Sequence, residues 1–114
     1  MTATDPLALR HGALISKVWA IIGKARTVAR SAPDQAQCTY QLKRMRHMRR
    51  YVLAARQAEL EMKAFEAAEV KAWFRPVENS LEKAEAYFAG VIRSQHPQHP
   101  AVQHYRQARS QIRA

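Results

Sequence analysis

A chain of 114 residues has room for one modest hydrophobic core, and with 47% hydrophobic residues it is too apolar to be read as disordered. Its three glycines, and five prolines that lie outside the long apolar-periodic runs, argue against a turn-rich sheet and for helices. A formal net charge of +10 calls for a polyanionic partner, and a single cysteine, Cys38, rules out an intrachain disulfide and suits a reducing, cytoplasmic setting.

The charge is uneven. Residues 1–57 hold eleven Lys or Arg and two acids, whereas residues 58–90 hold four and seven. The remaining tail holds four Arg and no acid. The chain therefore has a basic first half, an acidic waist and a basic end.

Thr4, Asp5 and Pro6 read as a helix start, with a side-chain cap followed by proline in the first turn. The helix is expected over about residues 6–30, with Leu7, Leu14, Ile15, Val18, Ile21, Ile22, Ala25 and Ala29 on one stripe. Arg10, Lys17 and Lys24 recur on the opposite side, and Arg26 and Arg30 extend the row toward the next turn. Gly12 and Gly23 either weaken this helix or permit close packing. Lys17 interrupts the apolar run, so neither a membrane span nor a signal peptide is expected. An organelle transit peptide would share the segment's basic, acid-poor character, but a core helix is the better reading.

Ser31 to Asp34 breaks the chain, and Ser31 or Asp34 can cap the next helix. No Gly or Pro then occurs before Pro76, which predicts a long second helix over about residues 35–74. Straight, it would reach roughly 60 Å, too long for a compact bundle of this size unless interrupted or partnered. One stripe of it holds Cys38, Leu42, Met45, Met48, Val52, Ala55, Leu60, Val70, Trp73 and Phe74. Arg49, Arg56, Glu59, Lys63 and Glu66 interrupt the same stripe, and the last four allow ion pairs at spacings of three and four. That mixed-charge seam is expected at a core edge or between subunits. A second line, Tyr40, Arg44, His47, Tyr51 and Phe65, suggests a helix sandwiched between neighbours.

Arg75–Pro76 predicts a break or kink, and Asn79 with Glu82 has the spacing of a capping box. A third helix over about residues 77–94 places Val77, Leu81, Ala84, Phe88, Val91 and Ile92 on its core side, with Glu78, Glu82 and Glu85 directed elsewhere. A His/Pro linker over about 95–100 precedes a last helix over about 100–112, on which Arg106, Arg109 and Arg113 share one side. The expectation is a single all-α domain, 1–114, a small bundle of three to four helices organised around the long second one.

The functional signal is the stretch from Lys43 to Arg50. Lys43, Arg44, Arg46, Arg49 and Arg50 are joined there by His47, and Tyr40 and Tyr51 flank them. On a helix, Lys43, Arg46 and Arg50 fall within about a 60° arc. Arg presents a planar fork of donors that suits phosphate, and aromatic rings can stack on bases. Lys17, Lys24, Arg26 and Arg30 are candidates for the same surface, with Arg106, Arg109 and Arg113 as an auxiliary clamp.

Other residues carry blander readings. Trp19, Trp73 and Phe74 read as core or interface, and Cys38 as a small core residue. His96, His99 and His104 match no zinc spacing, and no cofactor is implied. The chain has no Gly-rich phosphate loop, nucleophile elbow or paired-carboxylate motif, so an enzyme is not expected.

The reading is a non-catalytic nucleic-acid-binding protein or subunit of a nucleoprotein complex, gripping phosphate without strong sequence specificity. RNA or single-stranded DNA is slightly favoured, and a protein partner or homo-oligomer is expected. The alternatives are an adaptor or inhibitor that docks an acidic protein or dimerises through the Arg56–Glu66 seam and, less favoured, an anionic-membrane-surface helix at residues 6–30.

Overall fold

The computed structural model describes residues 6–95, with side chains from His11 onward. Three helices run in sequence: α1 over Pro6–Arg30, α2 over Gln35–Met62 and α3 over Ala67–Gln95. They form a small all-α bundle, and no strand occurs among the described residues. No helix among them is long and apolar enough to cross a membrane. The expected last helix, the His/Pro linker and the Thr4–Asp5 cap lie outside the described residues, apart from Gln95, which ends α3.

The first turn matches the sequence closely. Asp34 accepts the Gln37 amide at 2.8 Å, and the Gln37 side chain accepts the Asp34 amide at 2.9 Å. This reciprocal box satisfies two groups that a helix start otherwise leaves open. Just before it, Ala32 adopts a left-handed φ of 52°.

The second turn departs from the expectation. The long helix predicted over 35–74 ends at Met62, and α3 begins at Ala67. Lys63 caps α2 in the left-handed region at φ 54°. Reversal there brings Val70 and Phe74 back into the core, both 0% exposed, on α3 rather than α2. A straight continuation would have carried them beyond any partner helix.

Conversely, α3 runs through Pro76, where a break or kink was expected. A proline inside a helix frees the carbonyl four residues earlier, here that of Ala72. Both residues are exposed, so water can serve that carbonyl. Asn79 and Glu82 are consequently interior to α3 and cap nothing.

The core is one cluster drawn from all three helices, including Val18, Ile22, Met45, Val52, Phe74, Leu81 and Phe88. Cys38 belongs to it, and its thiol points toward the Pro33 carbonyl at 3.9 Å. Trp73 packs against this cluster and meets Phe65 edge-on, whereas Trp19 is partly exposed. Near the start of α1, His11 leaves helical geometry at φ −133°. Its ring contacts Phe74, and its Nε2 lies 2.8 Å from Glu59 Oε1. As for Gly12 and Gly23, nothing lies within 4 Å of where a Cβ would stand, so close helix approach is not their reason.

Arg56 and Glu59 of the mixed-charge seam are engaged within this chain. Arg56 pairs with Glu78 at 3.0 Å, not with Glu59 three residues on, and Glu59 meets His11 instead. Arg49 lies 3.0 Å from Glu85. Glu78 and Glu85, expected to point away from the core side, therefore face α2. Lys63 and Glu66 are exposed at the corner between α2 and α3, where the Glu66 carbonyl accepts the Val70 amide.

Candidate nucleic-acid interface

The chemistry of the outer face of α2 is set by its sequence. Between Asp34 and Glu59 there is no acidic residue. Good helix formers carry the positive charge, so the helix forms and its cations are set by the 100° turn per residue. Met45, Met48 and Val52 turn inward and are buried. That forces Lys43, Arg46, His47 and Arg50 outward, and all four are exposed.

The aromatic line beside them is open to solvent, contrary to the sandwiched helix that the wheel suggested. Tyr40 and Tyr51 are 59% and 57% exposed. Arg44 is half-buried, with its guanidinium 5.9 Å from the centre of the Tyr40 ring. A cation over an aromatic face is held in place by the ring's electron density.

Arg49 differs from the rest of the expected set: it pairs with Glu85 of α3 at 3.0 Å while 42% of its side chain stays exposed. Arg46, three residues earlier, occupies the same edge of the outer face but remains exposed.

The cations of α1 split between two surfaces. Val28 lines a small hollow with Tyr40 and Gln41 at one end of the α1–α2 pair, and His11 meets Glu59 at the other. Counting between these anchors along antiparallel helices puts Lys24 level with residues 44–46 and Lys17 level with residues 51–53. Both lysines share the Val28 edge of α1 at helical spacing, and both are exposed. They widen the basic face of α2 into a two-helix surface.

Arg26 and Arg30 take the opposite edge. They line a groove between α1 and α3 with Ser80, Lys83, Tyr87 and Phe88. The Tyr87 hydroxyl donates to the Ala29 carbonyl at 3.3 Å and ties the two helices together there. Sequence reading missed Lys83 and Tyr87, since neither lies in a basic stretch of the chain and only the packing of α3 on α1 brings them beside arginines. Arg106, Arg109, Arg113, His96, His99 and His104 lie outside the described residues.

No family model matches the chain, and comparison with curated proteins and with solved structures returns no match.

Proposed function

We propose that this protein is a non-catalytic nucleic-acid-binding protein, free or as a subunit of a nucleoprotein complex, that grips the phosphate backbone across α1 and α2. The observation that carries this reading is the acid-free outer face of α2. There Lys43, Arg46, His47 and Arg50 are exposed together with Tyr40 and Tyr51. Phosphates would lie against the cations, and unstacked bases against the two tyrosines. Duplex DNA offers no unstacked base, so RNA or single-stranded DNA suits the surface better. Nothing on the face is arranged as a base-reading module, which favours binding without strong sequence specificity.

The adaptor reading has less support, because Arg56 and Glu59 of its docking seam are engaged by Glu78 and His11 of the same chain. The membrane-surface reading would require the apolar stripe of α1, whose Val18, Ile21 and Ile22 are buried against the other helices.

The deciding experiment is a salt titration of binding to matched single-stranded RNA, single-stranded DNA and duplex DNA. A log–log slope of about −4 or steeper, with the single strands preferred, is the expected outcome. Absence of binding to all three near physiological salt would overturn the reading and favour an acidic protein partner.

A further inference from the structure

The groove between α1 and α3 differs in kind from the outer face of α2. It is a concavity of about 390 Å³, within the size range of small-molecule sites. Its floor is apolar, formed by Ala29, Ala84 and Phe88 among others. Its rim carries Arg26 and Arg30 from α1 and Lys83 from α3, and no acid lines it. Among the described residues none of these three cations is in an ion pair. Of the acids nearest Lys83 in sequence, Glu85 is turned to Arg49 on the other side of α3, and Glu82 is not part of the lining.

Three unneutralised cations over an apolar floor do not suit a nucleic-acid backbone, which would hold charged phosphates and hydrated sugars against alanine and phenylalanine. They suit a molecule with one anionic end and one apolar body. The lining spans Ala25 to Arg30 on α1 and Ser80 to Phe88 on α3. At 1.5 Å per residue those six and nine residues are roughly 9 and 13 Å of helix, a length for a small molecule rather than for a partner helix. The chain's own residues 96–114, with three Arg and no acid, lack the charge to complement the rim.

We propose that the α1–α3 groove binds a small amphipathic carboxylate. Its headgroup is held by Arg26, Arg30 and Lys83, and its apolar body of about ten carbons lies on Ala29, Ala84 and Phe88. This site is independent of the α2 face.

Calorimetric titration of the full chain with decanoate tests it, with acetate and decyltrimethylammonium as controls for charge without chain and chain without negative charge. Decanoate is expected to bind measurably better than either. The Arg30→Glu/Lys83→Glu variant should weaken it by about tenfold or more, and Ala84→Trp, which fills the floor, should abolish it. Arg50→Glu on α2 should leave it unchanged, which separates this site from nucleic-acid binding. Equal binding of the cationic amphiphile, indifference to both groove variants in folded protein, or no decanoate binding by the full chain would each overturn the proposal.

Discussion

Arg49 lies 3.0 Å from Glu85 across the interface between α2 and α3. Seven residues further along α2 and seven back along α3, Arg56 repeats the contact with Glu78 at 3.0 Å. Two pairs in step with the helix repeat fix these helices as antiparallel neighbours in one register. A partly buried pair contributes little over an apolar replacement, but breaking it leaves a charge with poor solvation. Arg56→Glu alone should therefore destabilise by roughly 1–3 kcal/mol, discounted for the arginine's partial exposure. Adding Glu78→Arg should recover most of the loss in urea unfolding. Additive losses would show that the pair does not set the register.

Both corners between helices place a residue with a Cβ in the left-handed region, Ala32 at φ 52° and Lys63 at φ 54°. Both are exposed, so a smaller side chain loses little packing. Lys63→Gly and Ala32→Gly should each raise stability by roughly 0.5–1 kcal/mol, read as a higher melting temperature. A lower one would mean that the greater freedom of glycine in the unfolded chain outweighs the relieved strain.

The same corners show what the sequence could and could not convey. The apolar stripes of α1, of the first part of α2 and of the last part of α3 recur every three or four residues, and from Leu14 onward they form the core or pack against it. The cap at Asp34 was legible, with Ser31 as its alternative, because capping is local chemistry. The corner at Lys63 was not, because Lys63, Ala64, Phe65 and Glu66 include no Gly or Pro, and the chain turns there to return Val70 and Phe74 to the core. Pro76 does not end a helix, and Phe74, Val77 and Leu81 are buried on either side of it. At the site, the outward cations of α2 could be read from the wheel. The separation of Arg26 and Arg30 from Lys17 and Lys24 could not, since it depends on which edge of α1 meets which helix.

The thiol of Cys38 is sealed in the core, and burial, with Asp34 nearby as a lesser cause, pushes its pKa above the ordinary thiol value. A raised folded pKa leaves this contribution to stability intact below the unfolded thiol's pKa of about 8.5 and removes it progressively as pH rises from there through the folded value. Stability should thus fall on the alkaline side, and Cys38→Ala should flatten that fall. Alkylation of the native protein at pH 8 should be slow, accelerating on addition of denaturant. Rapid alkylation of the native protein would mean that the first turn of α2 opens readily.

Charge reversal distinguishes the outward cations from the inward one. Arg46→Glu/Arg50→Glu should reduce single-stranded RNA affinity by about tenfold or more and flatten the salt dependence, with helical circular dichroism retained. Tyr40→Ala and Tyr51→Ala should each cost roughly 1–3 kcal/mol with single strands and little with duplex. Arg49→Glu, facing Glu85, should reduce stability first. Unchanged RNA affinity in the Arg46/Arg50 variant would move the binding surface elsewhere.

The outer face of α2 also has a consequence for the uncomplexed protein. Arg46 and Arg50 stand four residues apart and Lys43 and Arg46 three apart, spacings at which like charges destabilise a helix by about 0.2–0.5 kcal/mol per pair. Among the described residues, no acid pairs with this row. Small anions from solution must gather there as the chain folds, so that folding is coupled to ion uptake and gains from added salt. A polyanion laid along α2 would displace that ion atmosphere. The released ions would then supply an entropic drive that no direct contact in the complex records.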